Sequence, residues 1–171
     1  MSKDLNQIIN SYLDFPKKGI VFKDILPILH HPDIFSKLIE NMSANKIFDT
    51  AEAIIAIDAR GFIFGTAISI TLKKPMIVAR KIGKLPGELI TKSYDLEYGK
   101  NSLSIQKEAI EKFNTFAIVD DLLATGGTVL CVSDMITQSN KKVTGLSVVV
   151  ELNELNAKNK LPFLVDSQLK F

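Results

Sequence analysis

The chain has 171 residues, 46% of them hydrophobic and 23% charged, with a formal net charge of +2. That length supports one domain with a proper core, and the near-neutral charge gives no electrostatic push toward nucleic acid or a membrane surface. No apolar run nears the roughly 20 residues of a membrane span. The N-terminus does not read as a signal peptide, and the single cysteine excludes an intramolecular disulfide. Together these features predict a cytoplasmic protein.

Leu5, Ile8, Ile9, Tyr12 and Leu13 recur at helical spacing, which predicts a short amphipathic helix over residues 4–13. Phe15 to Pro27, with a proline near each end and Gly19 between, reads as an extended, ordered loop. His30 and His31 precede Pro32 and Asp33, which suit the first turn of a helix carrying Ile34, Phe35, Leu38, Ile39 and Met42. No carboxylate or cysteine stands nearby at ligand spacing, so the histidines read as helix-start residues rather than a metal site.

Residues 53–57 read as a buried strand, ending in Asp58-Ala59-Arg60-Gly61. Phe62 to Leu72 is apolar nearly all round and predicts a helix buried on most faces. Lys73-Lys74-Pro75 ends it, and residues 76–79 form a third candidate strand. A strand, helix and strand in this order imply a parallel sheet. Arg60 falls where such sheets bind ligands. From Arg80 to Gln106 the pattern turns basic and rich in breakers, with two candidate strands at 90–94 and 102–106 around Glu97-Tyr98-Gly99. An insertion of that kind is often a lid.

The most informative stretch is Phe116-Ala117-Ile118-Val119-Asp120-Asp121-Leu122-Leu123-Ala124-Thr125-Gly126-Gly127-Thr128. It reads as a buried strand with two carboxylates at its end, a glycine loop, and then a helix over 129–139. Unpaired amides and the helix dipole would grip a phosphate there. The adjacent acids require a ligand that also brings hydroxyls or a magnesium ion. Ribose 5-phosphate with a metal-bound pyrophosphate meets both demands. The stretch is neither the ATPase P-loop nor the dinucleotide glycine pattern. Cys131 lies in the apolar pattern of this helix and reads as a buried, inert thiol. Residues 143–150 predict another core strand, and 162–165 a short closing strand. No internal repeat or second domain is visible.

The Asp120–Thr128 stretch resembles the phosphoribosyl pyrophosphate signature of type I phosphoribosyltransferases, in the form found in the adenine phosphoribosyltransferases. Phe15 to Ile25 resembles the base-binding segment of that group, although Lys18 replaces a frequent proline and Lys23 a frequent arginine. Arg80-Lys81-Ile82-Gly83-Lys84-Leu85-Pro86-Gly87 and Ser93-Tyr94-Asp95-Leu96-Glu97-Tyr98-Gly99 look like its two remaining motifs.

The resemblance implies an α/β fold with a mostly parallel twisted sheet flanked by helices. To this it adds a β-hairpin lid over residues 80–106 and an N-terminal arm over 1–35, within one domain. It implies that adenine and phosphoribosyl pyrophosphate give AMP and pyrophosphate with Mg²⁺, in a homodimer, with no nucleic-acid or membrane partner. Asp120, Asp121, Ala124, Thr125, Gly126, Gly127 and Thr128 would hold the phosphoribose, and the two acids would order Mg²⁺ through water. Asp58, Ala59, Arg60, Arg80, Lys81 and Lys84 would hold pyrophosphate, with a strained, often cis, Asp58–Ala59 peptide. Val21, Phe22, Lys23 and Leu152 would face the base. Glu97 would handle the proton of the attacking nitrogen, beside Tyr98 in the lid. A transferase for an oxopurine, or a ligand-sensing regulator on the same fold, are the alternatives.

Overall fold

The protein is described from a computed structural model covering residues 2–96 and 99–171. Glu97 and Tyr98 lie outside the described residues. The chain opens with α1 (Ser2–Ile8), followed by an antiparallel ribbon of β1 (Asn10–Leu13) and β2 (Val21–Asp24). The helix expected over 4–13 therefore stops early. Leu5 and Ile9 are buried as the stripe requires, but Tyr12 and Leu13 are 51% and 72% exposed and pair with Phe22 and Val21. Pairing with residues 21–24 draws residues 10–13 into an extended ribbon instead. The loop expected over 15–27 is likewise more regular: its second half is β2, and a 3-10 turn runs from Leu26 to His30.

Helix α2 (Pro32–Ser43) has Pro32 at its first position and Asp33 in its first turn, and buries Leu38, Ile39 and Met42. His30 and His31 are exposed residues before it. Strand β3 (Ala53–Ile57) is buried at every position. It leads through a tight loop into α3 (Gly61–Leu72) and then β4 (Met76–Lys81). A hairpin of β5 (Leu89–Leu96) and β6 (Gly99–Gln106) follows, then the short α4 (Lys107–Glu111). The chain closes with β7 (Thr115–Leu123), α5 (Gly127–Gln138), β8 (Lys142–Glu151) and β9 (Leu164–Lys170).

Seven strands form one sheet in the order β5-β6-β4-β3-β7-β8-β9. The pairs β4–β3, β3–β7, β7–β8 and β8–β9 are parallel. The hairpin adds an antiparallel edge, with Arg80 opposite Ser104 and Lys81 opposite Leu103. Helix α5 and the inward side chains Ile55, Ile118 and Leu146 build one core. Helices α2 and α3, with Ile54, Ala117 and Val119, build the other. Alternate residues of each central strand thus feed opposite layers, and the sheet's C-terminal rim is where a ligand meets the loops.

Three expectations need correction. The acids are not at the end of β7: the strand carries them and continues to Leu123, where it pairs with Glu151. The closing strand is β9, later and longer than 162–165. Its polar residues hid it, and they are satisfied sideways: Ser167 donates to Glu151 Oε2 at 2.7 Å and Gln168 to Asp166 Oδ2 at 3.0 Å. Helix α3 is apolar all round but buries only Gly61, Phe64, Gly65 and Ile68, leaving Ile70 73% exposed. One side of it packs on the sheet and on α2, and among the described residues nothing covers Ile70 on the far side.

Candidate active site

The corner between β7 and α5 holds an open depression lined by Asp120, Leu122, Ala124, Thr125, Gly126 and Thr128. Gly126 sits at the N-cap of α5 with φ 84°, a conformation that glycine adopts freely. Having no side chain, it cannot cap the helix, and no acidic residue occupies the first turn. The first amides of α5 therefore lack the usual internal partner and carry the positive end of the helix dipole. Asp120 and Asp121 flank this cradle, 8% and 6% exposed.

The two acids differ in their surroundings. Asp120 Oδ1 accepts the Asp121 N–H at 2.9 Å. Burial first, and then the neighbouring Asp121 charge, hold the Asp120 carboxyl well above the usual carboxylate range. Asp121 Oδ2 lies 2.6 Å from Arg60 Nε. That contact is one of charge rather than an aligned hydrogen bond, since the buried Oδ2 has no hydrogen-bond donor. The start of α3 presses on the same spot: a Cβ on Gly61 would come 2.9 Å from Asp120 Oδ1.

The β3–α3 loop supplies the second part of the site. Its Asp58–Ala59 peptide is cis. Asp58 Oδ2 accepts from Arg80 Nε at 3.2 Å, and the Arg80 guanidinium lies 5.8 Å from the Phe62 ring centre. Both arginines are thus held by carboxylates of the site itself, Arg60 by Asp121 and Arg80 by Asp58. Lys81 is exposed at the end of β4, with its backbone N–H 3.5 Å from Asp58 Oδ2. Lys84 is exposed in the next turn and makes none of these contacts.

The ribbon closes the site from a third side. The Phe22 ring centre is 5.4 Å from the Arg60 guanidinium, and Phe15 meets Phe22 edge-on at 5.0 Å. Lys23 Nζ donates to Ser11 Oγ at 2.9 Å and stands 4.0 Å over the Phe171 ring. Phe171 in turn zips to the end of β8, donating to the Glu151 carbonyl and accepting from the Asn153 N–H at 2.7 Å. Leu152, between those two, donates to the Leu123 carbonyl at 2.9 Å. Arg60 therefore touches both the acid pair and the ribbon. Val21 is 47% exposed and turned to solvent. Sequence reasoning missed Phe171 and Ser11, because a single aromatic after a polar strand and a serine in a supposed helix give no periodic signal.

Among the described residues no cluster of three or more histidine, cysteine or acidic side chains could hold a metal ion. The Asp120–Asp121 pair is an oxygen donor set that fits a cation taking its other ligands from water and substrate, with Asp121 Oδ2 facing Arg60 in this structure. No helix of the described residues is long and apolar enough to cross a membrane.

Comparison with known proteins agrees with this geometry. The phosphoribosyl transferase domain family matches residues 25–166. The chain is 66% identical over 171 residues to an adenine phosphoribosyltransferase of Prochlorococcus marinus (strain MIT 9211), covering 100% of this chain and 99% of that protein. The crystal structure of adenine phosphoribosyltransferase from Thermoanaerobacter pseudethanolicus superposes with a TM-score of 0.92 at 37% identity, covering 100% of both chains. The Saccharomyces cerevisiae enzyme does so with a TM-score of 0.90 at 32% identity over 98% of each chain. That structure was solved with D-2,5-dideoxy-2,5-imino-altritol 1,6-bisphosphate and adenine. The sheet order, the acid pair beside an uncapped helix start and these full-length matches lead to one assignment: the chain belongs to the phosphoribosyltransferase family, in its adenine phosphoribosyltransferase branch.

Proposed function

We propose that the chain salvages free adenine, transferring the 5-phosphoribosyl group of phosphoribosyl pyrophosphate to it and releasing AMP and pyrophosphate. One observation carries this reading: two buried carboxylates stand beside a helix start whose amides have no cap. The amides of Ala124 to Thr128 and the threonine hydroxyls hold the sugar's 5′-phosphate. Asp120 and Asp121 accept from the ribose hydroxyls. As the bond to pyrophosphate breaks, positive charge grows on the ribose ring, and the same carboxylates stabilise it. Arg60 and Arg80 leave Asp121 and Asp58 to meet the departing anion, helped by Lys81 and Lys84.

Mg²⁺ belongs with Asp120 and Asp121 through water, and when bound it neutralises charge on the leaving pyrophosphate. Phe22, Lys23 and Leu152, with Val21, form the base site. Residues 80–106 serve as its lid, with Tyr98 in its motif, and bring Glu97 to the proton of the attacking nitrogen. The Glu97→Gln variant is expected to lose turnover while keeping its substrate affinity; an unchanged turnover number removes Glu97 from the mechanism. The uncovered far side of α3 favours a homodimer, which sedimentation of the purified protein would establish. The composition and the described helices fit a cytoplasmic site of action.

The decisive experiment supplies adenine, hypoxanthine and xanthine separately with phosphoribosyl pyrophosphate, with and without magnesium, and identifies the nucleotide formed. AMP from adenine alone, with pyrophosphate released, is the expected result. A preference for an oxopurine, or binding of the sugar without turnover of any base, overturns the reading.

A further inference from the structure

The inner face of the β5–β6 hairpin lies on α5, the helix whose start forms the cradle. Ile90, Lys92 and Tyr94 alternate along β5 and so face the same way, opposite Ile105, Leu103 and Asn101. Ile90 and Tyr94 pack on the core that contains Cys131, Val132 and Met135 of α5. Between them, Lys92 touches α5 twice. Its ammonium lies 2.7 Å from Asp134 Oδ2, and its carbonyl accepts the Cys131 thiol at 3.3 Å. Cys131 and Asp134 are three residues apart and therefore share a helix face. Ile90 borders a cavity shared with Ser139, at the C-terminal end of α5, while Lys92 stands level with Asp134. The strand thus climbs α5 toward the cradle. The hairpin's other face carries hydroxyl pairs, Thr91 with Ser104 and Ser93 with Ser102, each at 2.8 Å.

We propose that the Lys92–Asp134 ion pair and the bond from Cys131 to the Lys92 carbonyl form a clip that fixes the hairpin's height on α5. Filling the phosphate cradle and seating the hairpin are then one coupled event. Lys92 and Asp134 are positioning residues for the transfer reaction. The inference rests on the assignment of the cradle to the sugar phosphate. The ion pair is half-open to water, 30% and 47% exposed, and a pair of that kind adds little to global stability. It does fix register: a one-residue slip of β5 would turn Lys92 to the outer face and lose both contacts. Coupling of this kind is reciprocal, so a ligand that steadies α5 also steadies the strand lying on it.

Cys131 reports on the clip directly. It is the chain's single cysteine, 2% exposed beneath β5, and burial pushes its thiol up from the ordinary range. Alkylation therefore requires β5 to lift. Iodoacetamide labelling of the full chain, followed by mass spectrometry, is expected to run about fivefold or more faster in Asp134→Asn than in the unaltered protein. The exchanged pair Lys92→Asp with Asp134→Lys is expected to return the rate toward normal. Saturating ribose 5-phosphate is expected to slow labelling of the unaltered protein but not of Asp134→Asn. In steady state, Asp134→Asn should raise KM for phosphoribosyl pyrophosphate about fivefold, leaving KM for adenine unchanged. Equal labelling rates in the variant and the unaltered protein overturn the clip. Calorimetrically confirmed ribose 5-phosphate binding with no protection of Cys131 overturns the coupling. Absence of that binding overturns the cradle assignment, and the coupling with it, while the unliganded labelling rates still decide the clip.

Discussion

In the β7–α5 corner the backbone does the positioning. Phe116 to Val119 are fully buried, and the acids, the turn and the helix start follow from where that strand ends. In the β1–β2 ribbon, side chains do it: Phe22 against Arg60, Phe15 against Phe22, and Lys23 against Ser11 and Phe171. Tyr12, Leu13, Phe15 and Val21 stay exposed. On the proposed reading, the charged half of the reaction falls to a corner built on buried backbone. The same reading gives the neutral base to an arm held by contacts worth about 0.5–2 kcal/mol each. Damage to the corner should appear in kcat, and damage to the ribbon in KM for adenine.

The sharpest test of that contrast is Asp120→Asn. Activity should fall about 10³-fold, measured as kcat at saturating substrates. Stability should move the other way. In the unfolded chain this group titrates near 3.8, and in the folded chain it titrates higher. Between the two values the folded state holds more protons than the unfolded state, so stability falls as pH rises through that window. An uncharged amide avoids this cost, and thermal melting at neutral pH should show a higher Tm for the variant. A lower Tm would mean that Asp120 is a structural anchor, and the contrast would lose its basis.

Gly61→Ala should come next. Its Cβ would meet Asp120 Oδ1 at 2.9 Å and the Val119 carbonyl at 3.0 Å, so α3 or the carboxylate must shift. Such overpacking costs about 1–3 kcal/mol of stability, so thermal melting should show a lower Tm, and displacement of the carboxylate should lower kcat/KM as well. Phe22→Ala should raise KM for adenine about tenfold with kcat nearly unchanged, by initial rates at fixed phosphoribosyl pyrophosphate. A kcat loss as large as that of Asp120→Asn would erase the distinction between the two regions. Phe171→Leu keeps the bulk but removes the ring beneath Lys23, and should raise the same KM only about threefold.

The corner was legible in the sequence because its chemistry is local. Adjacent acids, two glycines and flanking threonines within one short stretch predict a strand, a turn and a helix start, as found, and β3 came out with the bounds expected for it. What escaped was decided by distant partners. The alternation of Ser11, Tyr12 and Leu13 with Val21, Phe22 and Lys23 becomes a ribbon only when the two segments pair. Asp166, Ser167 and Gln168 form a strand because β8 lies beside them. The apolar girth of α3 says that its faces can be covered, not that one chain covers them. Phe171 gains its place from Lys23, far away in sequence.

The antiparallel join between β4 and β6 constrains how the hairpin could ever be changed. Removing residues 82–106 to simplify the protein would leave the backbone groups of Arg80 and Lys81 without their present partners. A raw sheet margin of that kind recruits other chains. The hairpin therefore cannot be trimmed away without a substitute. A shortened form should be sought only where another strand or helix takes over the guarding of that margin, and a truncation that merely precipitates would say nothing about catalysis.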